Sequence, residues 1–148
     1  MKKILLPIDG SPRSLRTIQV VKQTFSPDDT EIAILLVTPV PRPSKLTDEN
    51  DEVQPPEDHE EITVDPQAAE ESRQLLKSFA RMLPDHKVEV ALRVGTPGPE
   101  IIQFAKEGKF DSILMTRSSR GSTQKLGSVS TYIVSNASFI TTTVLKDG

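Results

Sequence analysis

Two uninterrupted apolar runs, residues 3–8 (KILLPI) and 31–37 (EIAILLV), limit what this chain can fold into more than any other feature. Neither alternates apolar and polar residues. A strand built from either is therefore buried on both faces, as in a parallel sheet covered by helices. The segment between them supplies one such helix. Asp9, Gly10, Ser11 and Pro12 break the first run, with Ser11 a candidate N-cap and Pro12 suited to the first helical position. Leu15, Ile18, Val21 and Phe25 then recur at helical spacing, with Arg16, Gln19 and Lys22 between them, and FSPD at 25–28 ends the helix.

The same alternation continues down the chain. Asp65 and Pro66 open a helix whose buried side carries Ala68, Ala69, Leu75, Leu76, Phe79 and Leu83, and Pro84 ends it. Residues 88–94 (VEVALRV) place Val88, Val90, Leu92 and Val94 on one face and Glu89 and Arg93 on the other. That pattern predicts a strand at or near a sheet edge, where Glu89 and Arg93 pair across solvent. A turn at 95–99 leads into a short helix over 100–106, with Ile101, Ile102 and Ala105 inward and Gly108 closing it. Residues 110–116 read as a fourth strand, 128–136 as a last helix and 139–145 (FITTTVL) as a β-branched fifth strand. Strands separated by helices imply right-handed crossovers. The expectation is one α/β domain over residues 1–148, a single open five-stranded parallel sheet with helices on both faces.

Residues 38–64 carry none of this periodicity. They hold five prolines and are long for a connection inside a compact domain. Residues 48–65 contain nine acids and no Lys or Arg, so the rest of the chain is basic by six charges although the whole is −3. Three readings fit this acidic, Pro-rich loop: a solvated insert, a docking segment for a protein partner, or a flap over a basic site.

The basic site is expected where the fourth strand meets the last helix. Residues 110–128 (FDSILMTRSSRGSTQKLGS) run from an apolar strand through a hydroxyl-rich, basic loop to a helix start, the parts of a phosphate site on an α/β sheet. Arg117, Arg120 and Lys125 bring charge, and Arg grips phosphate bidentately. Ser118, Ser119, Ser122, Thr123 and Ser128 add hydroxyl donors. Asp9, after the first strand, either bonds a ligand's sugar or base edge, or a magnesium-bound phosphate, or caps its own turn. Arg13 faces either solvent or the phosphates.

Several stretches together resemble the universal stress protein family. KKILLPIDGSPRSLRTIQVV is similar to the family's first strand and helix, and ILLVTPV to its second strand and exit. VEVALRVGTPGPEIIQFAKEGKFDSILMT resembles its most regular region, and LGSVSTYIVSNAS its final loop and helix. The resemblance implies a sheet order of 3-2-1-4-5 and a homodimer through the C-terminal strand. It also implies ATP or a related nucleotide, with Mg, in those members that bind one. Members that bind carry G-x₂-G-x₉-G-[ST] over the phosphates, an Asp after the first strand and a small apolar residue near the end of the second. On this chain those positions are Asp9, Val37 and the pair Gly127 and Ser128. The first two motif glycines fall on Thr116 and Ser119, with Gly121 displaced nearby, and seven residues replace nine before Gly127. A Thr or Ser there cannot adopt positive φ as cheaply as glycine.

The cofactor-binding candidates are therefore Asp9, Val37, Thr116, Arg117, Ser119, Arg120, Gly121, Gly127 and Ser128. No catalytic or metal-binding set is expected. There is no nucleophile elbow, Walker motif or paired catalytic carboxylate, His59 and His86 are isolated, and cysteine is absent. Slow ATP hydrolysis without a dedicated base is the most that follows. With one tyrosine and no tryptophan, nucleic-acid binding is not expected. No apolar stretch reaches the about 18 residues of a membrane span, and Pro7 and Asp9 cut short the basic-start run, so a cytoplasmic protein is the expectation. Two functions follow: a regulatory protein binding a nucleotide or other phosphorylated ligand at the C-terminal edge of the sheet, or a dimeric protein-interaction module that binds no nucleotide.

Overall fold

A computed structural model describes residues 1–38, 66–117 and 128–146. In chain order the elements are β1 (Lys2–Ile8), α1 (Arg13–Thr24), β2 (Thr30–Thr38), α2 (Pro66–Ala80), β3 (Lys87–Val94), α3 (Pro97–Glu107), β4 (Ser112–Thr116), α4 (Ser128–Asn136) and β5 (Thr141–Leu145). The five strands form one sheet in the order β3-β2-β1-β4-β5, and every pair is parallel. The acidic segment at 48–65 lies outside the described residues.

Each central strand divides its apolar side chains between two cores, because successive residues of a strand point to opposite faces. Ile4, Leu6 and Ile8 of β1 and Ile32, Ile34 and Leu36 of β2 pack with Ile18 and Val21 of α1 and Leu76 and Phe79 of α2. Leu5 of β1 and Ala33, Leu35 and Val37 of β2 pack instead with Ile101, Ile102 and Ala105 of α3 and Ile133 of α4. This double burial is the reason KILLPI and EIAILLV contain no polar alternation. Each fully buried Leu or Ile contributes about 1.5–3 kcal/mol through removal from water.

Several details depart from the sequence expectation. In α1 the buried positions are Ser14, Thr17, Ile18 and Val21, while Leu15 is exposed. The helical stripe is intact, but its first turn is polar and shifted by one residue. Ser11 does not cap α1 with its side chain; Pro12 holds the cap position, and the Ser11 carbonyl accepts the Ser14 amide. β4 begins at Ser112, because the Phe110 amide donates back to the Ala105 carbonyl of α3. β5 begins at Thr141, and Phe139 is half-exposed in the preceding turn beneath the Lys106 ammonium. Gly108 does end α3, but with φ −85°; the left-handed residue is Lys109 at φ 53°. Gly108 is required by close approach, since a Cβ there would sit 2.3 Å from the Phe110 ring.

Arg93 does not pair with Glu89. It lies over the Phe104 ring and bonds Glu107 at 2.6 Å and Glu100 at 3.5 Å, tying the edge strand to α3. The hydrogen bond from Arg93 holds the Glu107 carboxyl below its ordinary range, with a second bond from Gln103 acting the same way.

Candidate functional site

Parallel strands send all their carboxyl ends to one rim, and a crevice opens there where the crossovers of neighbouring strands run to opposite faces. β1 lies between β2 and β4, and the helices after β1 and β4 cover opposite faces of the sheet. At that rim is a cavity of about 230 Å³. Pro7, Ile8 and Asp9 from the end of β1, Val37 from β2, and Met115, Thr116 and Arg117 from β4 line it. The first turns of three helices complete it, with Arg13 and Ser14 of α1, Pro97 of α3, and Ser128, Val129 and Ser130 of α4.

The cavity has an apolar inner wall and a polar mouth. Val37, Ile101, Met115 and Val129 make the wall, a surface suited to a flat apolar ring. The N-termini of α1, α3 and α4 bring a partial positive charge to this rim, although the Ser14 and Leu15 amides of α1 bond the Ser11 and Pro12 carbonyls and Pro97 and Pro99 of α3 have no N–H. Neither α1 nor α4 has an acid in its first turn, but the Asp9 carboxylate sits at the start of α1, where it accepts from Arg13 and Ser14. The acid of α3, Glu100, is bonded to Arg93.

Asp9 is held by a turn that only glycine serves easily. Gly10 has φ +78°, and a Cβ there would lie 3.2 Å from Leu75. This turn brings Ser11 back onto the Asp9 carboxylate. Oδ1 accepts the Ser11 amide at 2.9 Å, the Ser11 hydroxyl at 2.5 Å and the Ser14 hydroxyl at 3.3 Å, while Oδ2 accepts Arg13 Nη2 at 2.6 Å. Burial pushes the Asp9 carboxyl up, but the Ser11 bonds, the Arg13 bond and the Arg13 charge outweigh it and hold the group below its ordinary value. Asp9 is thus a carboxylate at neutral pH; it caps its own turn, one of its sequence readings, and its side chain also lines the cavity.

Thr116, at the position of the first motif glycine, is committed to the scaffold. Its hydroxyl shares a 2.7 Å hydrogen bond with that of Thr17, which is 1% exposed. The Arg117 amide donates to the Leu145 carbonyl at 2.9 Å, carrying the β4–β5 pairing to the rim. Of the nine sequence candidates, Asp9, Val37, Thr116, Arg117 and Ser128 all line this one cavity. Ser119, Arg120, Gly121 and Gly127 lie outside the described residues. Sequence reasoning missed Ser14, Thr17, Pro97, Ile101 and the pair Val129 and Ser130. The available signal was the hydroxyls at helical spacing in α1, which an apolar count passes over.

No group of three His, Cys, Asp or Glu residues that could hold a metal occurs among the described residues. His86 bonds the Phe25 carbonyl through Nε2 at 2.9 Å, far in sequence from the rim residues; His59 is not among the described residues. No helix among them is long and apolar enough to cross a membrane.

A model of the universal stress protein family matches residues 1–144. The chain belongs to the universal stress protein family. No curated protein matches it. Solved structures share the fold at low identity. The hypothetical protein MJ0577 is 23% identical, with a TM-score of 0.74 over 99% of this chain and 96% of that one. A universal stress protein family protein from Arabidopsis thaliana, with AMP bound, is 17% identical, with a TM-score of 0.67 over 100% of this chain and 93% of its own. The universal stress protein from Archaeoglobus fulgidus in complex with dAMP is 13% identical, with a TM-score of 0.66 over 99% and 97%. At such identities the likeness establishes the fold alone. The family match runs from β1 into β5, and the strand order is the 3-2-1-4-5 that the resemblance implied.

Proposed function

We propose that this universal stress protein is a regulatory protein that binds a nucleotide, or another phosphorylated small molecule, in the cavity at the C-terminal edge of its sheet. The observation that carries the reading is the convergence of an apolar wall, an ionised Asp9 and Arg117 on one cavity faced by three helix N-termini. An apolar ring against Val37 and Met115, a sugar at Asp9 and an anion at the helix starts would use all three features. The AMP and dAMP carried by two relatives of the same fold support this assignment. Magnesium would accompany a di- or triphosphate as its counter-ion. The cavity, at about 230 Å³, is smaller than most small-molecule sites, which suits the nucleoside part with the phosphates reaching outward.

Native mass spectrometry of freshly purified protein, with melting curves in AMP, ADP and ATP with magnesium, tests the proposal. A ligand at a hundred times its Kd adds about 2.7 kcal/mol of stability, or a melting shift of about 5 °C or more. A clean protein mass and no shift with any of the three would end it.

A second reading has its own support. Asp9 is already satisfied by Arg13 and its own turn, and Thr116 by Thr17, so the rim is stable with nothing bound. β5 is one of the two outer strands of the sheet, and among the described residues no strand pairs with its far edge. In this reading the protein acts as a homodimer through β5 and works by protein contact. The same native spectra report it as a doubled mass without nucleotide.

A further inference from the structure

The two oxygens of Asp9 are used unequally. Oδ1 accepts three bonds from its own turn and the start of α1. Among the described residues, Oδ2 accepts from Arg13 alone. A ligand hydroxyl therefore has to approach Oδ2, and Arg13 holds it. Arg13 meets Asp9 through Nη2 only, although a guanidinium offers five donors in a fork that matches phosphate. Both side chains line the cavity and reach solvent, Arg13 with 24% of its side chain exposed and Asp9 with 54%.

We propose that Arg13 is an exchangeable counter-ion that makes the site select phosphorylated sugars. A ligand's phosphate takes over the guanidinium, and Asp9 Oδ2 is released to accept a hydroxyl of the same ligand's sugar. The proposal rests on the nucleotide-site reading above and adds what selects the ligand. The exchange is feasible because Asp9 is the more exposed partner of the pair, so water reaches its carboxylate as Arg13 turns away. It is also downhill, because a phosphate carrying about −1.5 to −2 charges offers the fork two oxygens where Asp9 offers one. A nucleoside without phosphate brings no anion for Arg13. It either leaves Oδ2 unused or strips Arg13 of its only described partner. Recognition of the phosphate and of the sugar are thereby coupled through one ion pair.

Isothermal titration calorimetry with AMP and adenosine, on the full chain and on Arg13→Gln, tests the exchange. The wild type is expected to prefer AMP by about tenfold or more, the effect of one charge-assisted contact. Arg13→Gln loses about that factor for AMP and holds or gains affinity for adenosine, so the preference collapses. Arg13→Lys keeps the charge without the fork and falls between. Equal losses for both ligands would make Arg13 only a prop for Asp9, and unchanged affinities would make it a bystander. Either result overturns the exchange and leaves the nucleotide site standing. A wild type that binds neither ligand overturns the site, and the exchange with it. Asp9→Asn is the complementary measurement. It frees Arg13, so inorganic phosphate should bind more tightly than to the wild type, the opposite of what damage to the fold would do; no gain counts against the exchange.

Discussion

Among the described residues, the arginine–carboxylate contact at the cavity and the one on the flank are built to different ends. Arg93 bonds two carboxylates, Glu107 and Glu100, and covers the Phe104 ring. Its charge and its flat face are both spoken for. Arg13 meets one oxygen of one carboxylate and borders an open cavity. Both are arginines near a sheet edge, and sequence alone does not rank them. The difference is one of bonding rather than of charge: Arg93 fastens two elements together, whereas Arg13, in the exchange proposed above, would turn to a ligand.

Both clusters ride on the same sheet, so the largest expected effect erases the contrast between them. Ile113 is fully buried in β4 beneath α3 and α4. Ile113→Ala should cost about 2–5 kcal/mol in urea denaturation, lowering the stability of flank and rim together. A loss well under 1 kcal/mol would mean that the α3/α4 core does not support the rim.

The contrast sharpens with Arg93→Ala. Removing the guanidinium from the Phe104 face should lower stability by about 1 kcal/mol and leave ligand affinity unchanged. A large loss of affinity, with the fold intact, would place the flank in the site after all.

The smallest effect concerns pH. Asp9 is held below its unfolded value of about 3.9, so its contribution to stability is fully present above about pH 4 and is lost as the pH falls through the lower folded value. Asp9→Asn should flatten that part of the acid limb of the stability curve, and melting scans between about pH 2 and 6 measure it. An acid limb unchanged by the substitution would place the titration elsewhere, with Glu107 the next group to examine, since its folded value is also lowered.

What was legible beforehand follows from what each signal measures. KILLPI and EIAILLV announce buried strands because, past Lys3 and Glu31 at their starts, double burial excludes polar residues from the rest of each run. The last helix is found at its predicted bounds, residues 128–136. Residues 88–94 were legible as an edge strand because Glu89 and Arg93 interrupt the apolar run, but the division of faces was not, since Val90 is exposed and Arg93 packs on Phe104. Apolar periodicity misled where a buried position is polar. Ser14 and Thr17 are buried because they face Asp9 and Thr116 at the rim, while Leu15 is left exposed. Phe110 reads as strand because it is apolar and buried, yet its amide closes α3. Of the residues lining the cavity, Asp9, Val37, Thr116 and Ser128 were named from the family resemblance and Arg117 from its charge, while Pro97 and Ile101 of α3 carry no chemical signature of a site.

By itself the sequence determined which segments are strands and helices, that the sheet is parallel and covered on both faces, and that the carboxyl ends share a rim. These follow from local patterns of burial, which are written residue by residue. Only the tertiary structure decided the partners: Arg93 with Glu107 and Glu100, Thr17 with Thr116, and Arg13 with the one oxygen of Asp9 that its own turn leaves open. Partner choice depends on angstrom-scale distances and side-chain directions, whether the pair is near in the chain, as Arg13 and Asp9 are, or far apart, as Thr17 and Thr116 are, and no periodicity encodes those.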